Sequence, residues 1–136
     1  MVYKHIVMWK FKEQHNGKSA LENARWMKEQ LEALVGVVPE LLSAEVGISP
    51  ALEQATAAQS NAAAAQSNAA TADAAAVPAA VPAQAASGEY DACLLSTFAS
   101  PEALAAYKVH PKHKVISAYC KEARLKRLAF DWWSEE

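Results

Sequence analysis

Residues Val2 to Lys12, VYKHIVMWKFK, decide the fold. Tyr3, His5, Val7, Trp9 and Phe11 share one face by period-two alternation, and Lys4, Ile6, Met8 and Lys10 share the other. This is the pattern of a strand, and because large apolar groups lie on both faces, both are expected to be covered. The first face meets helices of the same chain. The second, framed by Lys4 and Lys10, suits a partner subunit.

The elements that follow supply those helices. Glu13 to Lys18 is polar and carries the turn signal Asn16-Gly17, which makes His15 a solvated loop residue. Ser19 with Glu22 forms a capping box, so a helix starts there. Ala20, Ala24, Met27, Leu31, Leu34 and Val35 recur at helical spacing, while Glu22, Arg25, Glu29 and Glu32 face water. Gly36 stops the helix and Pro39 prevents its continuation. Leu41 to Ile48 reads as a second strand and Tyr90 to Phe98 as a third, with Tyr90, Ala92, Leu94, Ser96 and Phe98 on one face. Ser100-Pro101-Glu102 opens another helix, with Ser as N-cap and Pro at its first position. Lys114 to Glu122 reads as a further helix, and Leu125 to Trp133 as a last strand before an acidic tail. The order β-α-β-β-α-α-β is that of an α+β, ferredoxin-like split-βαβ domain.

An Ala-rich insertion, residues 51–86, separates strands two and three. It holds 19 Ala in 36 positions and no aromatic residue. Residues 57–63 read AAQSNAA, and residues 64–70 repeat this without change, as slippage during replication produces. Ser49-Pro50 is a sound helix start and Ala favours helix, but there is no apolar stripe to dock and an undocked helix is marginal in water. The insertion is therefore expected to be a mobile loop with transient helix, an inert spacer at a hairpin tip. Residues 1–50 and 87–136 are the two parts of the domain around it. These 100 residues are few for an independent core, so oligomerisation would help.

Composition limits the function. Lys+Arg 13 against Asp+Glu 15 gives a net charge of −2, which leaves no footprint for nucleic acid or an anionic membrane. No apolar run is long enough to span a bilayer and no signal segment is obvious. Cys93 and Cys120 fit free thiols in a reducing, cytoplasmic setting. Phosphate loops, nucleophile elbows and paired-cysteine knuckles are absent. Four groups remain that can carry chemistry: His5, Tyr107, His110 and His113. A strand histidine packed beneath the second helix can share a cavity with Tyr107 and His113, pairing an imidazole that titrates near neutrality with a phenol. A metal site would need a third ligand, and no acidic residue or cysteine stands at ligand spacing, so neither metal nor cofactor is expected. The imidazoles of His110-Pro111-Lys112-His113 also suit backbone groups near a helix end.

The stretch Lys4 to Lys12, Glu22-Asn23-Ala24, Leu34-Val35-Gly36, Tyr90-Asp91 and, above all, Tyr107 with Val109-His110-Pro111-Lys112-His113 resembles the stress-responsive dimeric α/β-barrel family. The resemblance covers the residues outside the insertion. It implies a protomer that dimerises through its sheet face, two sheets closing a barrel. One branch, plant polyketide cyclases, is similar at its catalytic positions. Carried over, His113 would be the general base, Tyr107 its polar partner and His5 a cavity-lining group, with Val7, Trp9, Met27, Leu31, Leu94 and Leu104 lining the pocket. The chain departs from that branch at Trp9, Lys108 and Arg127, which make the pocket smaller and more charged, suited to a short polar or anionic ligand. The expected function is a homodimer that binds a small molecule. The alternative is a cofactor-free cyclase or lyase working by proton abstraction from a carbon acid.

Overall fold

The computed structural model describes residues 1–54 and 89–135. Apart from its first four residues, the expected insertion lies outside the described residues, and so does its mobile-loop reading. The order of elements is β1 (Val2–Phe11), β2 (Gln14–His15), β3 (Lys18–Ser19), α1 (Ala20–Glu32), β4 (Ser43–Ile48), β5 (Ala92–Phe98), α2 (Pro101–Val109), α3 (Pro111–Ala123) and β6 (Arg124–Ser134). Strands β4-β5-β1-β6 form one sheet in that spatial order, and every neighbouring pair is antiparallel. Two interleaved split-βαβ units give this order, so the ferredoxin-like expectation holds.

Alternation along β1 sorts the layers. His5, Val7, Trp9 and Phe11 are buried beneath the helices, and Ala92, Leu94, Ser96 and Phe98 of β5 join them. Met27, Leu31, Leu104, Tyr107, Ile116 and Cys120 complete the core from the helix side. The register places Ile6 between Leu95 and Phe130, and Met8 between Cys93 and Leu128. These residues form the second face of the sheet, on which Leu95, Leu128 and Phe130 are exposed.

Local chemistry explains the element ends. The Ser19–Glu22 capping box forms in both directions. Helix α1 stops at Glu32, earlier than the apolar spacing suggested: Ala33 is its C-cap, Val35 is exposed, and Gly36 turns the chain at φ +89°. Asn16 and Gly17, at φ 58° and 74°, make the turn of a two-residue hairpin. His15 is half-buried there rather than solvated. Its ring packs on Tyr119, and its carbonyl accepts from Asn23, whose own side-chain oxygen accepts from the Tyr119 hydroxyl at 2.5 Å.

Glu32 does not simply face water. Its carboxylate accepts the Val46 N–H and the Lys28 ammonium, each at 2.8 Å, while Lys28 also donates to the Val46 carbonyl at 2.8 Å. Two helix side chains thus satisfy the open backbone of edge strand β4, a protection that sheet edges need. These bonds hold the Glu32 carboxyl below its ordinary pKa. Where the chain leaves for the insertion, Ser49 N–H donates to the Asp91 carbonyl at 2.8 Å. The buried Asp91 carboxylate accepts the Phe11 N–H at 2.9 Å and the Lys10 ammonium at 3.3 Å. Both ends are thereby fixed to β1 and to each other. Ala51 is buried and Leu52 packs on the core, so the first residues assigned to the insertion belong physically to the domain.

Candidate functional site

Between the sheet and the helices lies a cavity of about 270 Å³. His5, Val7 and Trp9 of β1 and Leu94 of β5 form its floor, and Met27 and Leu31 of α1 one wall. Tyr107 and Lys108 from the last turn of α2, and His113 from the first turn of α3, close it opposite.

The break between α2 and α3 creates this corner. Pro111 cannot continue α2, and His110 takes extended backbone, φ −65° and ψ 136°, to serve as C-cap of one helix and N-cap of the next. The His110 Nδ1 accepts the Lys112 N–H at 3.1 Å, so this imidazole is a cap and not part of the cavity. One turn further on, His113 faces inward over Tyr107, ring centroids 4.3 Å apart.

Both cavity imidazoles are held through Nδ1. His113 Nδ1 lies 3.2 Å from the Lys108 carbonyl. A carbonyl only accepts, so Nδ1 carries the proton and Nε2 keeps its lone pair. His5 Nδ1 lies 2.5 Å from the Asp131 carboxylate, which fixes the same tautomer. Burial lowers the pKa of both rings. For His5 the Asp131 hydrogen bond opposes that shift, and for His113 the Lys108 carbonyl does. The charges of Lys108 and Arg127 push both further down. Both rings are therefore neutral near pH 7, each with one basic nitrogen. Tyr107 is 1 % exposed and its hydroxyl is buried without a hydrogen-bond partner; burial raises its pKa. The Cys120 thiol also lines the cavity, and burial pushes its pKa up to about 11, which makes it a neutral wall group rather than a nucleophile.

Of the residues expected at the site, His5, Tyr107, His113, Val7, Trp9, Met27, Leu31 and Leu94 meet at this one cavity, and so do the charged departures Lys108 and Arg127. Leu104 does not. It is buried in the core one turn before Tyr107 and is not among the residues that line the cavity. Sequence reasoning missed Asp131, although parity along β6 with Arg127 puts both on the inner face, and the register sets Asp131 opposite His5. It also missed Ile116, Ser117 and Cys120, which follow His113 at helical spacing, and Arg124 at the start of β6. Among the described residues there is no group of three or more side chains suited to a metal ion. Cys93 and Cys120 are free thiols, and among the described residues no helix is long and apolar enough to cross a membrane.

The sheet order and the cavity beneath two helices define a ferredoxin-like α+β domain with an internal site. Within that class the chain belongs to the stress-responsive A/B barrel domain family, whose sequence model matches residues 3–64 and 53–134. No curated protein matches the chain. Its fold is similar to that of a dimeric ferredoxin-like protein of unknown function from Bacteroides fragilis (TM-score 0.64, 19% identity, 98% of this chain and 96% of that one). It is also similar to a protein of Arabidopsis thaliana (TM-score 0.59, 20% identity, 100% and 97%). A third similar structure is a hydroxynitrile lyase from Passiflora edulis (TM-score 0.62, 15% identity, 99% and 95%).

Proposed function

We propose that this protein is a homodimer, joined through the outer face of its sheet, that binds a small molecule in the cavity of each protomer. The convergence of His5, Tyr107 and His113 on one cavity carries the ligand reading. A volume of about 270 Å³ lies at the low end for ligand sites, which points to a small guest. The apolar outer face formed by Ile6, Met8, Leu95, Leu128 and Phe130 supports the dimer, since contiguous exposed apolar surface marks interaction sites. The Bacteroides fragilis neighbour is described as dimeric. Two free thiols support a cytoplasmic location. The test is an NMR screen of neutral and charged small compounds that follows the Met27 methyl and the His5 and His113 imidazoles. Binders are expected to move these signals together. If no compound of any charge moves them, the ligand reading is wrong.

A second reading, a cofactor-free lyase or cyclase, is favoured by the tautomers. In this reading an imidazole Nε2 takes a proton from carbon next to a carbonyl, and the freed electron pair moves onto the carbonyl oxygen, where the Tyr107 hydroxyl donates a hydrogen bond. The resemblance assigns the base to His113. The Asp131 carboxylate qualifies His5 equally, because it stabilises the imidazolium that forms, whereas His113 has only a backbone carbonyl. The Passiflora edulis neighbour, named as a lyase, belongs with this reading. In D2O the protein should then catalyse hydrogen–deuterium exchange next to the carbonyl of small keto compounds. The His5→Asn and His113→Asn variants divide the roles, and exchange equal to a protein-free control refutes turnover of this kind.

A further inference from the structure

Several cations of the domain are held by carboxylates. Lys10 pairs with Asp91, Arg25 with Glu53, Lys28 with Glu32 and Lys126 with Glu89. Among the described residues, Lys108, Arg124 and Arg127 have no ion-pair partner, although all three line one cavity whose wall contains no carboxylate. Asp131, the acid nearest in register, is engaged by His5. Opposing charges are thus missing where positive charge is concentrated. Tyr107 supplies a second sign: its ring lines the same cavity, and its buried hydroxyl has no partner in the protein.

We infer that the cavity takes a small organic monoanion, a short carboxylic acid carrying a carbonyl or hydroxyl oxygen, with its carboxylate toward Lys108 and Arg127 and its second oxygen at the Tyr107 hydroxyl. This deepens the ligand-binding reading above and rests on it. A carboxylate matches the planar guanidinium fork and the ammonium, and charge-assisted bonds of this kind are the stronger ones. Lys108 and Arg127 are exposed residues that reach the cavity, so they attract the anion where it enters. The floor and far wall (Val7, Trp9, Leu31, Leu94) are apolar and accommodate a short alkyl part. A second oxygen on the ligand gives the Tyr107 hydroxyl the acceptor it lacks, removing the cost of a buried unsatisfied donor. The neutral imidazoles add no negative charge to the wall, so nothing there opposes the field of Lys108 and Arg127.

The experiment uses the full chain and matched pairs of probes: acetoacetate and 2-oxobutanoate, each against its primary amide. Binding is followed at the His5 and His113 imidazole signals and by titration calorimetry. The acids are expected to bind and the amides to bind about tenfold more weakly or not at all. The double variant K108M/R127M, changed at exposed positions and checked for an unaltered melting temperature, should lose that preference. Equal binding of acid and amide overturns the inference while leaving the ligand reading intact, and so does an acid preference that survives in the double variant. If only neutral compounds from the wider screen bind, the anion assignment falls alone. If nothing in either set binds, both readings fall together.

Discussion

Phe130 lies on the outer sheet face, on edge strand β6, beside Ile6 of β1 in register and stacked on Trp132 with centroids 5.9 Å apart. It is 64% exposed in the protomer, so replacing it by Asp removes little from the protomer's own packing. In a dimer joined through this face the cost is large. A phenylalanine side chain presents roughly 200 Å². The exposed share is then about 130 Å², worth about 3 kcal/mol at about 25 cal/mol per Å². Twofold symmetry counts the residue twice, which gives an upper bound of about 6 kcal/mol. Allowing half for incomplete burial leaves about 3 kcal/mol, a weakening of dimerisation by about a hundredfold. Burying the new carboxylate adds to the effect.

Sedimentation velocity with multi-angle light scattering over a wide range of protein concentration checks this. The native chain should show twice the 14.6 kDa chain mass, and Phe130→Asp should shift to the single-chain mass within the same range. Far-UV circular dichroism should match between the two at low temperature. A smaller melting temperature for the variant is expected as well, because a dimer adds association energy to folding. A native chain that sediments at 14.6 kDa throughout, or a variant that stays dimeric with an unchanged dissociation constant, would falsify the sheet-face interface.

Other expectations follow from the same structure. Tyr107→Phe removes a buried hydroxyl that has no partner, so it should stabilise the protein by about 1 kcal/mol or more in urea unfolding; a clear loss of stability would mean the hydroxyl is satisfied in solution. Burial holds His5 and His113 below their ordinary pKa of 6.5 in the folded state, so the unfolded chain binds more protons between the folded and unfolded values. Stability is thus complete above the unfolded value and falls as pH drops through the folded ones; urea midpoints from about pH 5 to 8 should slope upward, and the His5→Asn and His113→Asn variants should each flatten that slope, an unchanged slope counting against the assignment. Removing residues 55–88 and closing the chain with a glycine turn keeps Leu52 and the Ser49–Asp91 bond and shortens the connection about sixfold. Folding should survive with a gain of roughly 1.5 kcal/mol, and an unfolded product would show that the insertion is no spacer.

Much of the fold was legible because local signals agreed with tertiary needs. Period-two alternation in β1 named its buried face, the capping box marked the start of α1, and Ser100-Pro101 marked the start of α2. Signals that ended elements were harder to read. Leu34 and Val35 continue the helical spacing beyond the last helical residue: Leu34 is buried through the turn, while Val35 points out, so apolar spacing alone does not distinguish helix from a packed turn. At the site, Tyr107 and His113 were readable from one short stretch, because Pro111 sets a corner between two helices. Asp131 was not, since its meaning depends on a pairing with a residue 126 positions away. Glu32 was misread for a similar reason. A charged residue on a helix looks solvated until the edge strand it caps is known.

The distribution of unmet polar groups argues for function more strongly than any one residue does. Elsewhere the domain satisfies its polar groups closely: Glu32 and Lys28 cover the β4 edge, Asn23 joins a hairpin to Tyr119, and Asp91 caps the backbone of β1. A fold this small has a net stability of about 5–15 kcal/mol, in which a single orphan hydroxyl is a substantial fraction. Yet one cavity gathers an unpartnered phenol, three cations without ion-pair partners and two imidazoles pushed toward neutrality. Packing alone would favour Phe at position 107 and fill the space. A buried orphan phenol beside three cations, in a wall that holds no acid, is what a binding site looks like before its ligand arrives. The sign of the missing charge is then the most specific statement the site makes: what completes it is negative.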